Sequence, residues 1–216
     1  MKRVQFYKDN IKHYIKNKNS KILVLGADKL DKDIFNELGY NNVVFSNYNK
    51  ITNNKDYLNI MMQDTGLDNN SFDYCVAHAC VHHSSKPHNA ILEMYRVSSK
   101  GALIIEANDS FLTRLACRIN IAEEYELSAI KSNKDHGGVD NTEIPNYVFR
   151  WTEREIEKLI KSYEPQHKHN INFNYSHDIK YFNNLLLKLI FSLFFKIFKK
   201  QQNLVSIYIQ KPFNLI

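Results

Sequence analysis

Residues 63–108, QDTGLDNNSFDYCVAHACVHHSSKPHNAILEMYRVSSKGALIIEAN, decide the fold. Residues 72–79 and 102–107 are apolar at most positions, which is typical of parallel strands covered on both faces. Between them, Pro87 suits a first helical turn, and apolar residues then recur at helical spacing, namely Ala90, Ile91, Met94 and Val97. The pattern predicts a strand–helix–strand unit. In open α/β sheets ligands bind beyond the carboxyl ends of the strands, so residues 79–85 are expected beside a ligand.

Further strands and helices surround this unit. Apolar runs predict strands at residues 21–26, 42–45, 59–63, 170–175 and 204–210. A helix with Leu30, Ile34, Phe35 and Leu38 on one face follows the first strand and stops at Gly39. Alternation of strands and helices with short connections predicts an α/β fold with a doubly wound, mostly parallel sheet.

The chain is expected to form one domain over residues 1–216, because its 216 residues are 44% hydrophobic and no boundary is visible. An opening helix with Phe6, Ile11, Tyr14 and Ile15 in an apolar stripe is predicted to act as a lid or packing helix. Residues 109–150 form a long polar connection that is expected to cover the site. Thr152 and Glu155 then form a capping-box pattern, where the helical fold resumes.

The cysteine count and the termini bear on the compartment. Three cysteines, Cys75, Cys80 and Cys117, lack zinc-type spacing and are odd in number, so a disulfide framework is not expected. The start lacks the apolar centre of a signal peptide, and no apolar run is long enough to span a bilayer. We predict a cytoplasmic protein, and peripheral association with the inner face of the membrane stays open.

The net charge of +6 is unevenly distributed. Residues 1–21 and 180–216 are each strongly basic, whereas the middle of the chain is acidic. An acidic middle argues against a nucleic-acid groove across the domain. The basic ends are interpreted either as attraction to an acidic surface or as the ordinary use of Lys on a surface rich in Asn and Ile.

The sequence resembles the class I S-adenosylmethionine-dependent methyltransferases of the small-molecule type. The resemblance rests on Asp64 ahead of SFDYCVAHACVHH, on KPHNAILEMYRVSSKGALII and on the closing LVSIYIQKP, and it covers residues 20–108 and 150–212. It implies a seven-stranded Rossmann-like sheet with a final antiparallel hairpin. It also implies S-adenosylmethionine as cofactor and methyl transfer as activity.

The resemblance implies where the cofactor lies. Gly26, Ala27 and Asp28 would face its methionine part, and Asn47 and Asn49 its ribose. Asp64, with Thr65, would face the adenine amino group, and His78 and Ala79 would lie near the sulfonium. The sequence also departs from the family pattern, since Val24 replaces an expected acid, Asp28 and Leu30 stand where glycines are usual, and residues 46–49 offer no carboxylate. A methyltransferase-like binding module without activity therefore stays open as a second interpretation.

Acceptor chemistry is assigned to histidines. Methyl transfer to a hydroxyl benefits from a base near neutral pKa, for which histidine is the usual choice. His82 and His83 follow the strand at the ligand edge and are predicted as catalytic residues, and the alternative is that the pair caps and packs. His136, Tyr147 and Arg150 in the cover are predicted to bind substrate, with Arg150 suited to an anionic group. A metal site from His82, His83, Asp109 and His136 is not demanded by their spacing, so no metal is expected.

The expected acceptor is a polar small molecule or a carrier-linked group, such as a hydroxyl of a sugar or of a polysaccharide precursor. A Rossmann-type enzyme that uses a nucleotide is a third interpretation. It is disfavoured because the first turn lacks the G-x-G-x-x-G fingerprint.

Residues 181–200, YFNNLLLKLIFSLFFKIFKK, form an inserted apolar segment with a lysine stripe. A helix of this kind is too short and too charged to span a bilayer but suits a membrane interface, where lysines reach anionic headgroups. The alternatives are a dimer contact and packing on the protein's own sheet. A membrane role would favour a lipid-carrier-linked acceptor.

Overall fold

The computed structural model describes residues 2–49, 56–127, 130, 136–178 and 185–212, and of residues 185–189 only the backbone. In chain order the elements are α1 (Lys2–Tyr14), β1 (Ile22–Leu25), α2 (Lys29–Glu37), β2 (Val43–Phe45), β3 (Phe72–His78), α3 (Pro87–Val97), β4 (Ser98–Ala107), α4 (Phe111–Arg118), α5 (Glu153–Tyr163), β5 (Asn170–Ser176), α6 (Leu185–Ile197) and β6 (Leu204–Gln210). The predicted strand–helix–strand unit is β3, α3 and β4, and its existence and type are confirmed.

The sheet has the strand order β2-β1-β3-β4-β6-β5. The strands β1 to β4 run parallel to their neighbours, whereas β6 is antiparallel to both β4 and β5. This order confirms the doubly wound α/β fold and the antiparallel closing pair. Since β1 is flanked by β2 on one side and β3 on the other, the chain changes direction across the sheet at β1, where ligands bind in such folds.

The expected strand count of seven is wrong for the described part of the chain, which forms six strands. Residues 59–63, predicted as a third strand, form none. Leu58 makes only an isolated parallel bridge to Ser46, and a turn follows in which the Asp64 amide donates to the Met61 carbonyl at 3.3 Å. Because this turn takes the backbone groups that a ladder would use, the segment cannot pair along its length.

Both faces of the sheet are covered. Along β1, Leu23 and Leu25 pack into the core beneath α3 and α5, while Ile22 and Val24 pack on the opposite face against α1 and α2. This two-sided burial follows from the continuous apolar runs that predicted parallel strands. The three cysteines are buried and form no disulfide.

The opening helix α1 is the predicted packing helix. Its Tyr7 and Ile11, together with Ile15 after its last turn, are fully buried in the core on the α1 and α2 face. Burial of one such side chain contributes about 1.5–3 kcal/mol. The anchored helix carries Arg3 to the edge of the sheet where the parallel strands end.

The cover and the C-terminal helices complete the fold. The Thr152 side chain accepts a hydrogen bond from the Glu155 amide at the start of α5, which is half of the predicted capping box. The Glu155 carboxylate instead lies 2.8 Å from His88. The inserted helix between the closing strands is α6, and residues 181–184 of the predicted segment lie outside the described residues. Among the described helices, none has the length and apolar character needed to cross a bilayer.

Candidate functional site

A cavity of about 530 Å³ lies at the carboxyl ends of β1, β2 and β3. The strand ends contribute Gly26, Asn47, Tyr48, His78, Ala79 and Cys80 to its wall. Residues 60–63, the N-terminal turn of α1 and the cover segment close the remaining sides. A cavity of this size at the switch point of an α/β sheet is the expected place for a small-molecule ligand.

Two backbone turns form the floor of the cavity. Gly26 has a φ of +59°, and a Cβ atom there would lie 2.7 Å from Cβ of Cys80. Glycine is therefore required both by the backbone angle and by the close approach of the next turn. Ala79 has a φ of +53°, which a non-glycine residue rarely adopts and which is typical of functional sites. The turns after β1 and β3 are thus packed tightly against each other.

Asp28 caps α2. Its side chain accepts hydrogen bonds from the amides of Leu30 and Asp31, and the Asp31 side chain accepts one from the Asp28 amide. The backbone of Asp28 is extended, with φ of −121°, so this position does not require the glycine that is usual in the family. Asp28 lines the cavity, although its carboxylate is engaged by the helix. Burial raises the pKa of Asp31 to about 6, against the opposing effect of hydrogen bonds from the Asp28 amide and the Tyr7 hydroxyl.

His78 and Arg3 meet at the same end of the cavity. Nε of Arg3 donates to Nε2 of His78 at 3.2 Å, and the His78 ring stacks on Tyr7 with 4.3 Å between centroids. Burial, followed by the charge of Arg3, lowers the pKa of His78 to about 4. The ring is therefore neutral at physiological pH, with its Nε2 lone pair held by Arg3. The Tyr7 hydroxyl donates to Asp31 at 2.9 Å, so a cation and an acid are linked through one tyrosine.

Of the other residues that were predicted to contact the cofactor, Asn47 lines the cavity, whereas Ala27 and Asn49 lie outside its wall. Ala27 is fully buried in the core, and its carbonyl accepts from the exposed Asn47 amide at 2.9 Å. The backbone of Asn49 pairs with the Asn59 side chain. Neither Ala27 nor Asn49 lines the cavity in the described structure.

Asp64 and Thr65 also lie outside the cavity wall. Asp64 is exposed, whereas Thr65 is buried and donates from its hydroxyl to Glu93 at 2.7 Å. The neighbouring Gln63 does line the cavity. Its amide donates to Asp140 at 2.9 Å and accepts from the Ser84 hydroxyl at 2.9 Å, which fixes its side chain between the cover and the loop after β3.

The loop after β3 is one turn of 3-10 helix, Val81–His83, held by Glu106 of β4. The Val81 amide donates to one oxygen of Glu106, and Nδ1 of His82 lies 2.8 Å from the other. Both His82 and Glu106 are buried. Burial by itself lowers the pKa of His82, but the carboxylates of Glu106 and Glu126 outweigh it and raise the pKa to about 10. Against its own burial, Glu106 has a lowered pKa because of His82.

His83 lines the cavity next to His82. Its Nε2 lies 3.3 Å from the Glu126 carboxylate, which also lies 3.4 Å from Nε2 of His82. On its other side, Nδ1 of His83 contacts the Gly137 carbonyl at 3.0 Å and the Asn146 amide at 2.6 Å. The two histidines and Glu126 form a polar cluster, which we call the His–Glu cluster. The two imidazole rings beside the Glu126 carboxylate hold its pKa well below its usual range.

Glu126 reaches the cavity because the cover segment pairs with itself. The Glu126 amide donates to the Asn146 carbonyl at 2.9 Å, and the Val148 amide donates to the Glu124 carbonyl at 2.8 Å. These bonds hold residues 124–126 and 146–148 side by side across the mouth of the site.

The residues predicted to bind substrate are not brought together in the cavity. Tyr147 and Arg150 line a second cavity of about 400 Å³, together with Arg114 and Arg118. The Arg150 guanidinium donates to the Val148 and Glu123 carbonyls and so supports the cover. His136 is half-buried beside Gly137, which does line the first cavity.

Sequence reasoning missed several residues of the site: Arg3, Gln63, Glu106 and Glu126. Glu106 carried a usable signal, because a carboxylate in an otherwise apolar strand needs a buried partner. Glu126 carried no such signal, since its position depends on how the cover folds back.

Comparison with known proteins supports the fold. A family model described as a methyltransferase domain matches residues 41–105. No curated protein sequence matches the chain. Among solved structures, a SAM-dependent methyltransferase from Methanosarcina mazei is 17% identical, with 94% of this chain and 96% of that chain covered and a TM-score of 0.57.

Two further structures show the same fold at lower identity. A SAM-dependent methyltransferase from Archaeoglobus fulgidus is 11% identical, with 96% and 94% of the two chains covered and a TM-score of 0.53. Magnesium protoporphyrin IX methyltransferase from Synechocystis, solved with bound SAH, is 8% identical, with 97% and 82% covered and a TM-score of 0.57.

The sheet order and the cavity at its switch point define the class I, Rossmann-like methyltransferase architecture. Residues 41–105 match a methyltransferase domain, and the chain has the fold of S-adenosylmethionine-dependent methyltransferases, as the resemblance found in its sequence implied.

Proposed function

We propose that this protein transfers the methyl group of S-adenosylmethionine to a hydroxyl of a polar small molecule or of a carrier-linked group, such as a sugar. The observation that carries the proposal is the His–Glu cluster, which borders the cavity at the strand ends. A hydroxyl needs help in losing its proton, whereas a neutral amine does not, so a polar cluster of this kind favours an oxygen acceptor.

The residues of the cavity fit the cofactor. Arg3 and the buried Asp31 are linked through Tyr7 at one end, and they match the carboxylate and ammonium groups of an amino acid. The close turns at Gly26 and Ala79 let backbone approach a ligand. S-adenosylmethionine supplies an activated methyl group on a sulfonium, so the protein mainly has to hold the reacting atoms in line.

The adenine end is assigned to residues 60–63. Ile60, Met61 and Met62 give apolar surface, and the Gln63 amide, held by Asp140 and Ser84, keeps a second lone pair on its oxygen for the adenine amino group. We assign the adenine contact to Gln63 rather than to the exposed Asp64. Asn47, at the end of β2, is assigned to the ribose hydroxyls.

The acceptor is assigned to the side of the cavity that His83 lines. His82 is buried, whereas His83 lines the cavity, so His83 is the ring that an acceptor can reach. In the transfer, the acceptor oxygen gains the methyl carbon as the carbon–sulfur bond breaks, and the hydroxyl gives up its proton at the His–Glu cluster.

Calorimetric titration with S-adenosylmethionine and with its demethylated product tests the cofactor part of the proposal. We expect binding of both, and transfer of a labelled methyl group to at least one member of a panel of hydroxylated sugars and lipid-linked sugars. Folded protein that binds neither compound would leave the inactive binding module as the better interpretation.

We further propose that the acceptor is met at an anionic membrane surface. On α6 and just after it, Ile190, Leu193, Ile197 and Phe198 are each more than half exposed, and Lys196, Lys199 and Lys200 lie exposed among them. Phe195 alone of the described side chains in this helix is buried, so the sheet leaves most of the apolar surface of residues 190–197 uncovered. Apolar side chains flanked by lysines match an anionic interface. This arrangement supports a lipid-carrier-linked acceptor and a place at the inner face of the membrane.

A further inference from the structure

The His–Glu cluster has the composition and spacing of a metal site. Nε2 of His82, Nε2 of His83 and a Glu126 oxygen all lie within 4.8 Å of one another. The carboxylate oxygen is 3.4 Å from the first nitrogen and 3.3 Å from the second. Two ligands bound about 2.1 Å from one tetrahedral ion are about 3.4 Å apart, so these two separations fit a common ion.

His82 is held as a metal ligand is usually held. Its Nδ1 faces the Glu106 carboxylate at 2.8 Å, and because a carboxylate only accepts, the proton lies on Nδ1. Its Nε2 therefore points into the cluster. This nitrogen is buried and makes no hydrogen bond to any described residue. In metal sites, a ligand histidine commonly donates one ring N–H to a carboxylate, which orients the ring and leaves the other nitrogen to bind the ion.

His83 has a similar arrangement on its more exposed side. The Gly137 carbonyl, 3.0 Å from Nδ1, accepts a hydrogen bond and leaves Nε2 for the cluster. The Asn146 side-chain nitrogen, which donates to the same carbonyl at 3.1 Å, lies 2.6 Å from Nδ1. Both rings thus direct Nε2 toward Glu126.

We propose that His82, His83 and Glu126 bind one divalent transition-metal ion, with zinc as the best match. Two imidazoles and one carboxylate, with at least one open position, form a known catalytic zinc set, and the same ligands accept cobalt and nickel. A dication also supplies the positive charge that faces the two carboxylates, Glu106 and Glu126. Because His83 and Glu126 line the cavity, the open position faces a ligand there.

The role of the ion rests on the proposed methyl transfer. An acceptor hydroxyl at the open position would have a lowered pKa, as metal-bound water does, so that its proton can pass to solvent before the oxygen attacks the methyl carbon. Ion binding itself does not depend on that reaction.

The test is metal titration of the full-length protein after dialysis against a chelator. We expect one tight zinc site per chain by calorimetry, and cobalt at the same site with visible absorption bands typical of four or five ligands. His83→Ala and Glu126→Gln should each weaken zinc binding at least tenfold, and Glu106→Gln by about 10–100-fold. His88→Ala, which removes a histidine paired with Glu155 on another surface, should leave the affinity unchanged.

Absence of stoichiometric binding in folded protein would overturn the proposal, as would zinc binding that is retained by His83→Ala, Glu126→Gln and Glu106→Gln alike. Thermal unfolding of each variant separates ligand loss from misfolding, and His83 and Glu126 are used first because they are only partly buried. Cofactor binding is measured separately in metal-free protein. Metal binding without cofactor binding would contradict the proposed function alone, whereas cofactor binding and full methyl transfer without any metal site would contradict the metal proposal alone.

Discussion

A Cβ atom on Gly26 would lie 2.7 Å from Cβ of Cys80, so the turns after β1 and β3 meet without space for a side chain. Gly39 also has a positive φ, of +74°, but an added Cβ there would meet nothing within 4 Å. Substitution at Gly39 therefore introduces backbone strain alone, whereas substitution at Gly26 introduces both backbone strain and steric overlap.

We therefore expect Gly26→Ala to lower the free energy of unfolding by about 3 kcal/mol or more, since strain and overlap both contribute. Gly39→Ala should cost only the strain, about 1–2 kcal/mol. Denaturant unfolding measures both values, and calorimetry should show weakened cofactor binding in the first variant only. Equal losses in both properties would mean that the contact with Cys80 does not shape the site.

Gln63 and Asp64 are adjacent, but only the first lines the cavity. Gln63→Ala should weaken S-adenosylmethionine binding by about 1–2 kcal/mol, as expected for loss of a polar partner. Asp64→Ala should leave the affinity within about twofold, because its carboxylate is exposed. The reverse result in calorimetric titrations would restore the assignment of adenine to Asp64.

Arg3 is expected to hold the carboxylate of the cofactor. Arg3→Met should weaken binding of S-adenosylmethionine and of its demethylated product about tenfold or more, because a charged hydrogen bond is lost. Binding of 5′-methylthioadenosine, which has no amino-acid group, should change little. Lys2→Met removes a neighbouring charge that contacts His177 and is the matched control. If both compounds lose affinity equally in Arg3→Met, the arginine acts only by packing on His78.

Asp31 predicts a pH dependence. Its pKa in the folded protein is about 6, above the ordinary value of 3.8, so the folded state holds the proton more tightly than the unfolded chain does. This group therefore stabilises the fold below about pH 4, and its contribution is lost as the pH rises to about 6. Asp31→Asn has no carboxyl group to ionise, so its stability does not fall for this reason as the pH rises. Relative to the parent, the variant should gain up to about 3 kcal/mol between pH 4 and pH 7 in denaturant unfolding.

A pH-independent difference between Asp31→Asn and the parent would mean that the Asp31 carboxyl titrates normally. Tyr7→Phe is a useful companion, since it removes only the hydroxyl that donates to Asp31.

The exposed face of α6 predicts binding to anionic vesicles. The full-length protein should sediment with phosphatidylglycerol vesicles at low salt and less so at high salt, because headgroup attraction is screened. Leu193→Glu with Ile197→Glu should abolish sedimentation. Leu58→Glu makes the same type of change next to β2, at the other edge of the sheet, and should bind like the parent.

A parent protein that stays in the supernatant at low salt would contradict the membrane proposal. If analytical ultracentrifugation then showed a dimer that Leu193→Glu breaks, α6 would be a contact between two copies of the chain.

The amino-acid sequence by itself determined the sheet and the location of the site. Continuous apolar runs such as residues 102–107 predict strands covered on both faces, and the spacing of Ala90, Ile91 and Met94 predicts the helix between two of them. These signals are local, because burial and periodicity are written into neighbouring residues. They also place residues 79–85 at a ligand edge, and Ala79, His83 and Ser84 line the cavity there.

Only the tertiary structure decided which polar residues meet. His82 and Glu106 are 24 residues apart, and they touch because β3 and β4 are neighbours in the sheet. Glu126 joins them through the pairing of the cover with itself, which no local pattern encodes. Asp28 lies in the turn that was expected to contact the cofactor, yet its carboxylate caps the N-terminus of α2. A polar side chain takes whichever partner the folded chain brings within hydrogen-bond distance, and for these residues that partner is set by strand order and loop path.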